Sequence, residues 1–81
     1  PLPDRENGTY LVTVGRNADL NKAMDDASWD MINLLEKDKK LTRLDAYALA
    51  SMVMDCRLAA PRGAEKAVHC LVPKSTWVAA R

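Results

Sequence analysis

Hydrophobic and polar positions change period along the chain, and the changes divide it into elements. Over "TYLVTV" the pattern alternates, with Tyr10, Val12 and Val14 on one side and Thr9, Leu11 and Thr13 on the other. Alternation in a β-branched and aromatic run predicts a strand, and Gly15 closes it. From residue 20 the period becomes helical. Leu20, Met24, Ala27, Met31, Leu34 and Leu35 form one apolar stripe, with Asp19 placed to cap the first turn. Trp29 falls about half a turn from that stripe, among Lys22, Asn33 and Glu36. The run "EKDKK" ends this helix, with lysines suited to the negative end of its dipole.

The stretch "TRLDAYALASMVMDCR", residues 42 to 57, predicts a second helix. Thr42 and Asp45 make a capping-box-like start. Leu44, Tyr47, Ala48, Ser51, Asp55 and Leu58 share one face, and Leu49, Val53 and Cys56 another. A helix apolar on nearly every side is expected to be buried. "PRG" at 61 to 63 stops it. "KAVHCLV" alternates again, with Val68, Cys70 and Val72 opposite Ala67, His69 and Leu71, and Pro73 ends that strand.

The expected order is therefore strand, helix, helix, strand. This is an α+β arrangement, a βααβ unit whose αα-hairpin packs on a small antiparallel sheet. Residues 1–8 read as a lead-in segment, 9–75 as the domain and 76–81 as a tail. Two strands make a marginal sheet, so the unit looks unfinished and its sheet wants strands from elsewhere. The expected partner is another subunit or a missing part of a longer chain, with a homo-oligomer as the natural way to cover the second helix.

Composition narrows the function classes. The 81 residues carry 12 basic and 11 acidic side chains, a net charge of +1. Such a balance lacks the electrostatic footprint of a nucleic-acid or acidic-lipid binder. No apolar run reaches membrane-spanning length and no signal-peptide pattern opens the chain, so the expected location is cytoplasmic. Cys56 and Cys70 then read as buried thiols packed as small hydrophobes, in preference to a disulfide.

Candidate chemistry is sparse. His69 is the one histidine, on a strand without a nucleophile or metal set beside it, and reads as structural. No His, Cys or Asp cluster has ligand spacing, so no cofactor is expected in this chain, and no catalytic residue is assigned. Asp55 is the sharpest candidate. On a continuous helix it stacks one turn from Ser51, while Arg57 points about 160° away and cannot simply pair with it. A buried acid needs a specific partner, which would then lie outside the helix.

One resemblance gathers these pieces. "YLVTVG", "DLNKAM", "MINLL", "LTRLDAYALAS", "MDCRL" and "LVPKS" occur in the order and with the gaps of the acetamidase/formamidase family, over residues 8 to 75. The chain resembles the C-terminal part of that family, whose pieces run "YVVTG", "DLDEAM", "MIDLL", "LSREDAYALAS", "GDLRI" and "LPK". The resemblance implies a metal-dependent hydrolysis of short amides, such as formamide or acetamide, to carboxylate and ammonia. It also implies that the unit is a fragment of a larger β-rich fold, whose missing N-terminal β-rich part carries the histidines and acids that hold a divalent metal, zinc first. Asp55 and Arg57 match the acid and base of "GDLR", and Asp45, Tyr47 and Ser51 match positions in "EDAYALAS". Asp55, Ser51 and Arg57 are thus expected to line a pocket or to orient a ligand or loop beside it. Met54, Cys56 and Ala60 depart from the family's glycine, leucine and frequent glutamine. Alone, the chain is expected to be inert, because amide hydrolysis needs an activated water and an oxyanion stabiliser. The alternative is a free-standing interaction or assembly module that shares the fold without hydrolase activity.

Overall fold

The computed structural model describes residues 8–59 and 65–74. The lead-in before residue 8, the "PRG" stop, Ala60 and the tail after 75 lie outside the described residues. Five elements follow one another: β1 (Tyr10–Asn17), α1 (Leu20–Lys39), α2 (Arg43–Val53), β2 (Asp55–Leu58) and β3 (Lys66–Pro73). The expected α+β class and helix hairpin are both present. The sheet, however, has three antiparallel strands in the order β1-β3-β2.

The first correction concerns the second helix. It ends at Val53, and residues 55 to 58 form a strand where a continuation of the helix was expected. Met54 adopts extended backbone, φ −74° and ψ 133°, while its N–H still bonds the Ala50 carbonyl at 2.9 Å. Past it, Asp55 to Leu58 pair residue for residue with Leu71 to Val68, and Ala59 N–H continues to the Ala67 carbonyl at 2.8 Å. A complete strand partner satisfies these backbone groups as fully as another helical turn would, and tertiary pairing decides between them.

The two long strands carry their side chains as their alternation predicts. Leu11, Thr13 and Gly15 lie level with Val72, Cys70 and Val68 on the face toward the helices. Thr13 donates its buried hydroxyl to the Ala27 carbonyl at 2.8 Å. Gly15 is a close-approach position. A Cβ there would strike the Ala23 carbonyl oxygen and stand 2.7 Å from the Ala27 nitrogen. With Ala23 and Ala27 fully buried, this seam brings helix backbone down onto strand backbone.

α1 is the central helix. Asp19 caps it as expected, accepting from the N–H groups of Asn21 and Lys22. Its buried set is Ala23, Ala27, Met31, Ile32, Leu34 and Leu35, so Leu20 stands more exposed than its spacing suggests. Lys37 and Lys39 occupy the last turn, and Lys40 ends the helix in left-handed backbone at φ 56°.

α2 reverses its expected role. It begins at Thr42, whose hydroxyl accepts from Asp45 N–H at 3.1 Å. It buries only Ala46 and Ala50, with Leu49 and Val53 partly covered at the edge of the core. Leu44 and Met52 are 77% and 80% exposed, so the helix is not enclosed. The small alanine side chains let it lie close to α1, and its large apolar residues are left outside.

Candidate functional site

The turn at Met54 sets where the candidate side chains go. On a strand, alternate residues share a face, so Asp55 and Arg57 project together, away from the helices, while Cys56 turns toward α1. Arg57 Nε donates to Asp55 Oδ2 at 2.8 Å, and Nη2 lies at the same distance from that oxygen. Two expectations are corrected here. Asp55 is exposed, not buried, and its partner is Arg57, which a helix would have turned away from it. The pair borders a depression of about 210 Å³ with Tyr10, Val53, Leu71 and Pro73.

Ser51 lies elsewhere. It is exposed on α2 and donates to the Tyr47 carbonyl one turn back, at 2.9 Å. It lines a different depression, of about 250 Å³, between α1 and α2 with Asp25, Ser28, Trp29, Tyr47 and Met54 among its neighbours. The structure therefore brings Asp55 and Arg57 together and separates both from Ser51.

Trp29, half-exposed, belongs to a cluster spanning the two helices. Its ring centroid lies 6.0 Å from that of Tyr47, and the Arg43 guanidinium stands 5.2 Å from it. Arg43 also binds Glu36 at 2.8 Å and Asn33 at 2.9 Å. One arginine at the start of α2 thus ties the hairpin to the polar side of α1. The half-turn placement of Trp29 beside Asn33 and Glu36 was visible in the sequence. Nothing there pointed to Arg43 as their common partner.

Cys56 and Cys70 form a disulfide, which corrects the expectation of two free thiols. They are directly opposite in the β2–β3 register, on the helix side of the sheet. Ser28 Oγ lies 3.9 Å from each sulfur. Disulfide sulfurs carry no hydrogen, so the serine hydroxyl can only donate to them. The signal that could have revealed the pair was the alternation in "DCRL", which places Cys56 on the same sheet face as Cys70 once it is read as a strand.

Chemically, these groups are tied to one another. The Asp55 carboxylate holds its own arginine, the Ser51 hydroxyl is spent on backbone, and both sulfurs are bonded. His69 sits between Val14 and Arg57 in the sheet register. The metal implied by the family resemblance needs several convergent donors. Among the described residues no group of three His, Cys, Asp or Glu is placed to hold one, so these residues do not fit that role. No helix among them is long and apolar enough to cross a membrane.

What the geometry defines is a helix hairpin on a three-stranded antiparallel sheet, with an exposed acid–arginine pair at its short edge strand. The backbone fold is similar to a segment of the crystal structure of an acetamidase from Yersinia enterocolitica, with a TM-score of 0.81 and 27% sequence identity. The match covers 88% of this chain and 22% of that one, so the chain spans about a fifth of the length of the protein it resembles. No family model matches the sequence, and no curated protein does. The likeness is one of fold: the unit is built as a segment of an acetamidase is built.

Proposed function

We propose that this chain is the C-terminal portion of an amidohydrolase of the acetamidase/formamidase type, acting on short amides. The observation that carries the reading is the fold shared with the acetamidase over nearly the whole of this chain. The ordered pieces from "YLVTVG" to "LVPKS" support it independently. In this reading the activated water, the oxyanion stabiliser and the divalent metal, zinc first, belong to the rest of the longer protein. Asp55 and Arg57, exposed on β2, face that remainder and orient a loop or ligand there. Neither acts as the base. A role as an assembly module without hydrolase chemistry is the second reading, favoured by the exposed apolar side chains of α2.

The test is ammonia release. A longer natural protein that contains this sequence should release ammonia from formamide or acetamide, and the 81-residue chain should release none. Lack of turnover by that longer protein over a panel of short amides would favour the assembly reading. Turnover by the short chain alone would overturn the dependence on a remainder.

A further inference from the structure

Two matched rows of side chains wall the depression between the helices. Asp25, Trp29 and Ile32 follow at i, i+4 and i+7 on α1, and Tyr47, Ser51 and Met54 do the same along α2 and its cap. Together they enclose about 250 Å³. Trp29 meets Tyr47 with ring centroids 6.0 Å apart. The helices of the hairpin run in opposite directions, so one turn further on Asp25 and Ser51 share the same end. Ile32 and Ala50, both buried, form an apolar floor.

The polar groups of this groove are of one kind. The Ser51 hydroxyl donates to the Tyr47 carbonyl, and the Ser28 hydroxyl is directed at the disulfide sulfurs. Both oxygens therefore present lone pairs to the groove and no donor. Asp25 adds a carboxylate that makes no hydrogen bond or ion pair among the described residues, Lys22 three residues earlier included. No lysine or arginine lines the groove, whereas Lys37 and Arg57 each line another depression. The Trp29 ring already takes one cation from outside the groove, the Arg43 guanidinium at 5.2 Å, and Glu36 balances that charge.

Acceptors without donors, one unanswered negative charge and two aromatic rings over an apolar floor suit an ammonium ion on a short alkyl chain. We propose that the groove between α1 and α2 binds a small primary alkylamine in its protonated form. The ammonium donates to Asp25 and Ser51, and the alkyl chain lies against Trp29, Tyr47 and Ile32. At roughly 30 Å³ per heavy atom the groove admits a ligand of about eight such atoms. Asp25 is exposed, so water screens the ion pair. The dissociation constant is therefore on the order of 1 mM. The proposal concerns the helix side of the sheet and does not depend on the amidase reading.

The test titrates butylammonium chloride into the 81-residue chain at constant ionic strength, up to about 20 mM. NMR shifts at Asp25, Trp29, Tyr47 and Ser51 should saturate. n-Butanol, with the same chain and no charge, should bind at least about fivefold more weakly. Asp25→Asn keeps the side-chain shape and should weaken the amine about fivefold, and Trp29→Leu about threefold. Asp26→Asn, next to Asp25 but outside the groove, should leave the affinity unchanged. Shifts that never saturate, equal affinity for the alcohol, or unchanged affinity in a folded Asp25→Asn variant would each overturn the proposal. An equal loss in Asp26→Asn would do so too, because only the general charge of α1 would then be acting. A longer natural protein containing this sequence should bind the amine as well. If it does not while the short chain does, a side chain from the remainder fills the groove and the proposal fails.

Discussion

Arg57 and Asp55 stand two residues apart on one face of β2, and two nitrogens of the arginine lie 2.8 Å from a single carboxylate oxygen. Both side chains are more than half exposed, so water and salt screen the pair. Asp55→Asn should change stability by no more than about 0.5 kcal/mol, as measured by urea unfolding. In a longer protein with amidase activity, the same variant reports on function. Reduced turnover with an unchanged melting temperature would place Asp55 beside the substrate or a loop that closes on it. Full activity would leave it as a surface pair.

Gly15 should be the least tolerant position in β1. A methyl group there meets backbone of Ala23 and Ala27, and backbone cannot rotate away as a side chain does. Gly15→Ala should lower stability by about 3 kcal/mol or more, or prevent folding. Arg16→Ala, next to it and exposed, should stay within about 0.5 kcal/mol of the parent. Equal melting temperatures for the two variants would show that α1 does not lie as close to β1 as described.

Thr13→Val tests the buried bond to Ala27. The exchange keeps the shape of the side chain and removes its donor, so a loss of about 1 kcal/mol is expected. The readout is the urea midpoint, with an unchanged slope showing that the folded state stays as compact.

The Cys56–Cys70 bridge closes a loop of 14 residues. By loop-closure entropy a cross-link of that span contributes about 3 kcal/mol. A reductant should therefore lower the denaturation midpoint and speed amide exchange in Asp55–Leu58 before it affects β1. If reduction leaves β2 fully protected, its four backbone pairings hold the strand without the bridge.

Lys40 offers a gain. Its left-handed backbone at the end of α1 favours glycine, which carries no Cβ penalty there. Lys40→Gly should stabilise the chain by up to about 1 kcal/mol, seen as a higher melting temperature.

Much of this architecture was legible in residue patterns, where local chemistry and burial agree. Alternation along Thr9 to Val14 and along Lys66 to Val72 assigned the strands and their faces. Asp19 and Thr42 marked both helix starts through their side-chain oxygens. The end of α2 was not legible in the same way. Between Val53 and Leu58 there is no glycine or proline, and the polar–apolar alternation of "DCRL" is too short to outweigh a helical run before it. What selects the strand is β3, which begins eleven residues after β2 begins. That one misplacement accounts for the errors at the candidate site, because on a helix Arg57 turns away from Asp55 and Cys56 away from Cys70. The exposure of α2 was hidden for another reason. Periodicity shows that apolar faces exist, and the alanines Ala46 and Ala50 gave no hint that the smaller face would be the buried one.

The strand order has a consequence for how the chain emerges from a ribosome. β3, the central strand, is made after the other four described elements, and neither β1 nor β2 has a neighbour in the described sheet until it arrives. The helices can form early, since their hydrogen bonds are local, but the sheet waits on contacts that span most of the chain. Throughout that interval the apolar side of α1 has no sheet to rest on. The nascent unit is thus most vulnerable to misassociation just before β3 is released, and a chaperone that shields apolar helices would act in that window.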